Sequence, residues 1–148
     1  MFKKLLATTL LCLSLAPAFA ADWVQVSHNK FVDSASIKPS NAYGTFTFKA
    51  KAVADGVPFE KYDDKDVWQV NGSMYVNCRS GYLREVSYSM YDSDNKLIHS
   101  NKASGNDWRN VGPSSPVHDL YEYVCRTSER YNWRRYDAAP HYYYKWWY

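Results

Sequence analysis

The chain has 148 residues, of which 46% are hydrophobic and 22% charged, and its formal net charge is +3. Its N-terminal apolar run, residues 5–15, is too short to cross a bilayer. Its three cysteines and four histidines show no metal-ligand spacing. We therefore predict no transmembrane segment, no metal site and no cofactor.

The N-terminus has the three parts of a secretory signal peptide. Lys3 and Lys4 precede the apolar run, and the run is followed by the small-x-small sequence Ala18-Phe19-Ala20. Residues 1–20 are therefore predicted to be removed on export. Removal takes away two lysines, lowers the formal charge from +3 to +1, and leaves enough chain for one domain with a modest core.

Cys12 raises the question of lipidation. A lipidation motif requires a small residue just before its cysteine, and here that residue is Leu11. We therefore expect an exported protein, periplasmic, cell-surface or secreted, that is not a lipoprotein.

The first half of the predicted domain reads as short strands. Residues 23–26 and a segment from residue 31 precede a loop at residues 38–41, and residues 60–66 read as a polar connection of mixed charge. Between them, residues 45–52 alternate in polarity, which is typical of a half-buried strand. Its inward residues are Phe46, Phe48, Ala50 and Ala52, and its outward residues are Thr45, Thr47, Lys49 and Lys51.

Residues 67–91 predict the central hairpin of the sheet. Alternate residues from Trp68 to Cys78 form an apolar row, and a second alternation follows residues 79–81. A three-residue loop, with Gly81 in the left-handed conformation, keeps the apolar rows on one face. The predicted pairs are Cys78 with Tyr82, Met74 with Val86, and Gly72 with Tyr88. Leu83 then faces outward with Glu85, Ser87 and Ser89.

The chain then continues through a turn at residues 92–95, a short strand at 97–100 and a loop at 101–107. We expect Trp108, which follows the loop, to anchor the chain. The segment beyond it predicts a helix. Ser115 can cap the helix, and Pro116 suits its first position. One apolar stripe follows the helical period: Val117, Leu120, Tyr121, Val124 and Cys125.

These elements predict an α+β domain, an antiparallel sheet of about six strands with one C-terminal helix packed on it. Cys78 points inward at the end of its strand, and Cys125 lies on the helix face that packs on the sheet. Two cysteines in an exported chain most often form a disulfide. A bridge between Cys78 and Cys125 is therefore predicted to tether the helix.

Several segments, taken in order, resemble the surface-adhesin protein E family. They are Trp23-Val24-Gln25-Val26, the segment of residues 31–37, Val76-Asn77-Cys78, Trp108 followed by Pro113-Ser114-Ser115, and Tyr123-Val124-Cys125. The resemblance covers most of the chain from residue 23 to about residue 125. It implies a six-stranded antiparallel sheet whose C-terminal helix is held on the concave face by a disulfide, assigned to Cys78 and Cys125.

The family resemblance also implies a function. It points to a lipid-anchored surface protein that binds host proteins such as vitronectin and laminin, and haem binding has been attributed to it. This chain departs from the pattern in two places, since it has no lipidation motif and residues 60–66 are mixed in charge where the family is basic. We expect an exported, adhesin-like binding module with a protein partner. The alternative is a periplasmic interaction or inhibitor protein without host contact.

An enzyme is the third interpretation and is not predicted. The acidic cluster of Asp63, Asp64 and Asp66 is more typical of a solvated surface than of a catalytic or metal site. The positions of Ser114-Ser115 and His118 suit a helix cap and first turn better than a nucleophile and its base. His99, among tyrosines, could contact haem, but surface histidines on strands are more common. No catalytic residue, metal site or cofactor is predicted.

The C-terminal tail is the other unusual stretch. We divide the mature chain into a domain at residues 21–129 and a tail at residues 130–148. From Arg126 onward, five basic residues stand against two acidic ones, interleaved with aromatic residues. Such a segment can bind a protein, a membrane interface or single-stranded nucleic acid. Of these three, nucleic acid is the partner that an exported protein rarely meets. Alternatively, it adds an edge strand or packs on its own domain. The predicted binding residues are Arg134, Arg135, Tyr142, Tyr143, Tyr144, Trp146 and Trp147.

Overall fold

The structure, a computed structural model, describes residues 20–42, 44–103 and 106–133, with side chains as far as Ser128. These residues form nine strands and one helix. The strands are β1 (Trp23–Ser27), β2 (Lys30–Pro39), β3 (Thr45–Val53), β4 (Glu60–Tyr62), β5 (Lys65–Val67), β6 (Gln69–Asn77), β7 (Tyr82–Tyr91), β8 (Leu97–Lys102) and β9 (Arg109–Asn110), and the helix is α1 (His118–Trp133).

Seven of the strands form one antiparallel sheet. Its order is β1-β2-β3-β6-β7-β8, and β9 adds to β7 beyond the end of β8. The strands β4 and β5 pair only with each other. The α+β prediction is confirmed, with six strands on the continuous path and the short β9 beside it.

One face of the sheet, called here the inner face, carries the core. Alternate residues of β3 point into it, and Phe46, Phe48 and Ala50 are all buried. Helix α1 packs mainly on β1, β2 and β3 of this face and contributes Leu120 and Val124. The predicted helix stripe is confirmed, and so is the alternation of β3 from Phe46 to Ala50, whereas Thr45, predicted to face outward, is 4% exposed.

The predicted disulfide is present between Cys78 and Cys125, with a sulfur–sulfur distance of 2.07 Å and 5.5 Å between the Cα atoms. The hydroxyl of Tyr121 also donates a hydrogen bond of 3.1 Å to the Cys78 carbonyl. Two contacts thus join the first half of the helix to the end of β6.

The central hairpin follows the predicted register over half its length only. Gly72 pairs with Tyr88 as predicted, and Gly81 has a φ of 72°. A bulge between Ser73 and Met74 then shifts the pairing by one residue, so Met74 faces Glu85 rather than Val86.

The bulge reverses which residues face inward near the turn. Leu83 is 6% exposed in the core, whereas Tyr82 is 39% exposed, so the outward assignment of Leu83 is wrong. A bulge adds one residue to one strand and exchanges its faces beyond that point. Here it buries a leucine that the unbroken alternation would have left in water.

Three other boundaries differ from the prediction. Strand β2 extends into the predicted loop as far as Pro39, the polar connection predicted at residues 60–66 is a hairpin, and β8 extends into the predicted loop at 101–107 as far as Lys102. The helix also begins later than predicted. The N–H of His118 bonds to the carbonyl of Ser115 in a tighter turn before the α-helical pattern starts.

Alanine replacements on the helix should destabilise the protein more at buried positions than at exposed ones. Leu120 is 4% exposed, so Leu120→Ala should lower the free energy of unfolding by about 2–5 kcal/mol. Glu122 on the same helix pairs with His118 and Arg126 near the surface. Glu122→Ala should cost less than about 1 kcal/mol. Thermal or urea unfolding of both variants checks this, and equal losses would mean that the stripe does not carry the packing.

Candidate binding surfaces

The hairpin of β4 and β5 is held together by a tight two-residue turn. Asp63 and Asp64 have φ values of 48° and 61°. Two consecutive residues with positive φ form the type I′ turn, whose twist suits a β-hairpin. Aspartate tolerates this conformation better than most residues because its short side chain can bond to nearby backbone. The aspartates of this acidic segment therefore shape the backbone.

The hairpin and the residues leading into it, 57–66, expose large apolar side chains, and we call them the hairpin surface. Val57 is 70% exposed and Phe59 is 42% exposed, although the N–H of Phe59 bonds to the carbonyl of Val67. Val67 itself is fully buried. In the middle of the hairpin, Lys61 and Asp66 face each other and form a long, exposed ion pair of 4.0 Å. An apolar patch with a charged rim is thus held on an anchored hairpin.

A small aromatic cluster attaches the hairpin to the sheet. The ring of Tyr62 stacks on His99 of β8 with 4.4 Å between centroids, and Tyr88 of β7 approaches the same imidazole at 5.8 Å. All three side chains are half-buried. His99, interpreted as a simple surface histidine, is therefore a contact between the two sheets.

The opposite face of the main sheet, called here the outer face, carries cations that lie over aromatic rings. The Lys51 ammonium lies 4.5 Å from the Trp23 ring centroid and 5.2 Å from that of Phe31. The Arg84 guanidinium lies 4.8 Å from the Tyr75 centroid and 5.5 Å from that of Trp108. Such contacts are worth about 0.5–2 kcal/mol each and hold the cations in defined positions.

The residues considered for catalysis do not form an active-site geometry. The N–H of Val117 donates a 3.4 Å bond to the Ser115 hydroxyl, which suits the predicted capping role. The imidazole of His118 instead lies 3.6 Å from Glu122. Among the described residues, no group of three or more His, Cys, Asp or Glu side chains is placed to hold a metal.

The predicted tail residues lie outside the described part of the chain. These are Arg134, Arg135, Tyr142, Tyr143, Tyr144, Trp146 and Trp147. Their role as a binding segment stays a prediction, as does the division of the chain at residue 129. Helix α1 itself continues to Trp133.

Residues 60–66 were predicted as a binding surface only as the alternative to the tail, and the outer-face cations were not predicted as a site. One signal was available, since Asp63-Asp64 between short polar strands is compatible with a tight hairpin turn. Nothing comparable links Arg84 to Trp108. These residues are far apart along the chain, and only the folded sheet brings them together.

The fold defines a small sheet-and-helix domain with a disulfide-tethered helix. The sequence matches the model of the family described as surface-adhesin protein E over residues 23–126, and the chain belongs to this family. The predicted family is thereby confirmed, and membership makes the chain an adhesin-like, exported or cell-surface protein. The family is one of adhesins rather than enzymes. No curated protein sequence matches the chain.

Solved structures of Haemophilus influenzae protein E share the fold. A structure of Haemophilus influenzae protein E has a TM-score of 0.52 at 14% identity, covering 73% of this chain and 86% of that one. Protein E from non-typeable Haemophilus influenzae has a TM-score of 0.50 at 17% identity, covering 78% and 84%. At these identities the likeness shows the fold alone. In the part of the chain that is described, no helix is long and apolar enough to cross a membrane.

Loss of the aromatic cluster should loosen the hairpin without unfolding the main sheet. Tyr62→Ala removes the ring stacked on His99, so amide hydrogen exchange in β4 and β5 should become faster. Exchange in β3 and β6 should not change. Lys61→Ala, at the exposed neighbouring position, is the matched control. Unchanged hairpin exchange in Tyr62→Ala would show that the stacking does not hold the hairpin.

Proposed function

We propose that this protein is an exported binding module of a Gram-negative envelope that contacts a host extracellular protein through its hairpin surface. The observation that supports this most directly is the exposure of Val57 and Phe59 in the segment that leads into the β4–β5 hairpin, outside the main sheet. Apolar groups in water carry no benefit for the isolated domain, and such patches often mark sites of protein contact.

The hairpin surface suits a protein partner for two further reasons. Phe59 offers a large, rigid side chain of the type that supplies much of the energy at interfaces. The surrounding Glu60, Lys61 and Asp66 provide a charged rim, which favours a specific orientation more than raw affinity. Because Tyr62 is stacked on His99, the partner meets a hairpin that is already ordered, and less entropy is lost on binding.

Export belongs to the same proposal. Residues 1–20 act as a signal peptide, and the mature protein begins at Ala21 without a lipid anchor. Disulfide formation between Cys78 and Cys125 agrees with an oxidising compartment. A periplasmic interaction or inhibitor protein is the alternative within this class. Cell fractionation with surface protease treatment distinguishes the two, because a strictly periplasmic, protease-protected protein would rule out host contact.

We propose the C-terminal tail as a second contact. The domain between Ala21 and Cys125 carries a formal charge of −2, whereas the segment from Arg126 onward carries +3. A partner or envelope surface with negative charge would be attracted to this end of the protein. Its tryptophan and tyrosine residues would add apolar contact area.

Replacement of Phe59 tests the hairpin surface. Phe59→Ser should weaken binding to immobilised vitronectin or laminin by at least about tenfold, since interface anchors often contribute more than about 1.4 kcal/mol. Leu97→Ser is the matched control, because Leu97 is 52% exposed but lies on β8 outside the hairpin. Equal effects of the two replacements, or no effect of Phe59→Ser on a protein that binds, would refute the hairpin as the contact.

Removal of residues 141–148 tests the tail. The shortened protein should keep its melting temperature and lose part of its affinity for the same partners. A sharp fall in melting temperature would instead mean that the aromatic residues complete the core or a sheet edge. In that case the tail proposal is abandoned and the hairpin surface remains.

A further inference from the structure

We propose that the outer face of the main sheet binds an acidic polysaccharide, a chain of sugars carrying sulfate or carboxylate groups. This site is separate from the hairpin surface and does not depend on the function proposed for it. Residues paired across neighbouring strands share a face of the sheet. The pairing therefore defines the outer face without ambiguity.

The centre of this face is a straight row of four side chains. Lys49 of β3 pairs with Ser73 of β6, Ser73 with Ser87 of β7, and Ser87 with Lys102 of β8. The two lysines are three strand spacings apart, about 14 Å at 4.8 Å per strand. Two ammonium groups thus bracket a pair of hydroxyls along a line that crosses the strands.

Further cations extend the positive charge around this row. Lys51, Lys38 and Arg84 occupy outer-face positions on β3, β2 and β7. Within the described ranges, none of the four outer-face lysines forms an ion pair with a carboxylate.

One acidic residue lies directly beside the row. Asp33 pairs with Lys49 across β2 and β3, but it is 6% exposed and its carboxylate accepts the N–H of Asp22 rather than forming an ion pair with Lys49. Asp22 lies at the start of β1, where its own carboxylate accepts a bond from Ser34. The domain as a whole is mildly acidic, so the outer face is a strong local concentration of positive charge.

The polar side chains between the cations are suited to sugars. The hydroxyls of Ser73, Ser87 and Ser89 make no hydrogen bond to any described residue, and each can donate one bond and accept others. An open cleft of about 470 Å³ lies at the Lys49 end of the row, where Lys38, Lys49, Thr47, Ser73 and Asp33 are among its lining residues. Sugar hydroxyls require this mixture of donors and acceptors.

The shape of the charged face favours an extended polymer. A small anion would contact only one end of the row, whereas a chain laid across the strands reaches both Lys49 and Lys102. A lipid bilayer fits less well, because binding at its surface also needs apolar side chains that enter it. Five large apolar residues are exposed among the described residues: Val57 and Phe59 on the hairpin surface, Tyr82 and Leu97 at the first positions of β7 and β8, and Trp108 near Arg84. None of the five belongs to the row from Lys49 to Lys102.

Charge-matched variants of the chain from Ala21 to Tyr148 test the proposal. Heparin serves as the sulfated probe, hyaluronate as the carboxylated probe and dextran as the neutral one, with affinities measured by calorimetry at several salt concentrations. The double variant Lys49→Gln/Lys102→Gln should lose about tenfold or more in heparin affinity and show a weaker salt dependence, because fewer counterions are released. Dextran should not bind to either protein.

The control is Lys61→Gln/Lys65→Gln on the hairpin, which removes the same charge from exposed positions. Its heparin affinity should stay within about twofold of the parent. The basic tail is present in every variant, so its own attraction for polyanions cancels in the comparison. Both doubles should keep the parent melting temperature, because all four lysines are exposed.

Three results would overturn the proposal. Equal losses of heparin affinity in the two double variants would mean that binding depends on the net charge of the protein and not on the outer face. If the parent protein binds neither heparin nor hyaluronate, the proposed polysaccharide site does not exist. Equal binding of a single-stranded oligonucleotide or of anionic phospholipid vesicles, lost in the same outer-face variant, would show a general polyanion surface rather than a polysaccharide site.

Discussion

The packing of α1 on the inner face is the interaction on which the rest of this structure depends. The helix is amphipathic, and its stripe can be buried only against the apolar rows of β1 to β3. The bridge between Cys78 and Cys125 fixes that position. On the chain-entropy account, closing a segment of this length removes about 4 kcal/mol of freedom from the unfolded chain. This approaches the lower end of the roughly 5–15 kcal/mol by which native domains are stable.

Because the inner face is occupied by the domain's own helix, other surfaces are left for partners. The hairpin surface offers exposed apolar groups with mixed charge, whereas the outer face offers hydroxyls and cations that lie over aromatic rings. These chemistries suit different ligands. The family is described by adhesion, and the two proposed contacts, with a protein and with a polysaccharide, would reinforce each other if both can form together.

The sequence was informative where periodicity and composition act locally. The alternation of β3 from Phe46 to Ala50, the helix stripe and the cysteine pair all follow from side chains that must face one core, so these predictions hold. The register near Gly81 failed because a bulge changes the face of Leu83 without leaving a clear mark in the residue pattern. The cation stacks could not be predicted, since Arg84 and Trp108 meet only through the order of strands.

The bridge also determines how the domain would respond to a pulling force between its two ends. Residues between Cys78 and Cys125, separated by 47 positions, cannot be extended while the bond is intact. At about 3.4 Å per residue, roughly 160 Å of chain is withheld from the load. Strands β1 to β6 can be pulled out, whereas β7, β8 and β9 lie within the protected loop. The row from Lys49 to Lys102 crosses from the extensible part to the protected part, so a ligand lying along it would join the two parts and resist their separation.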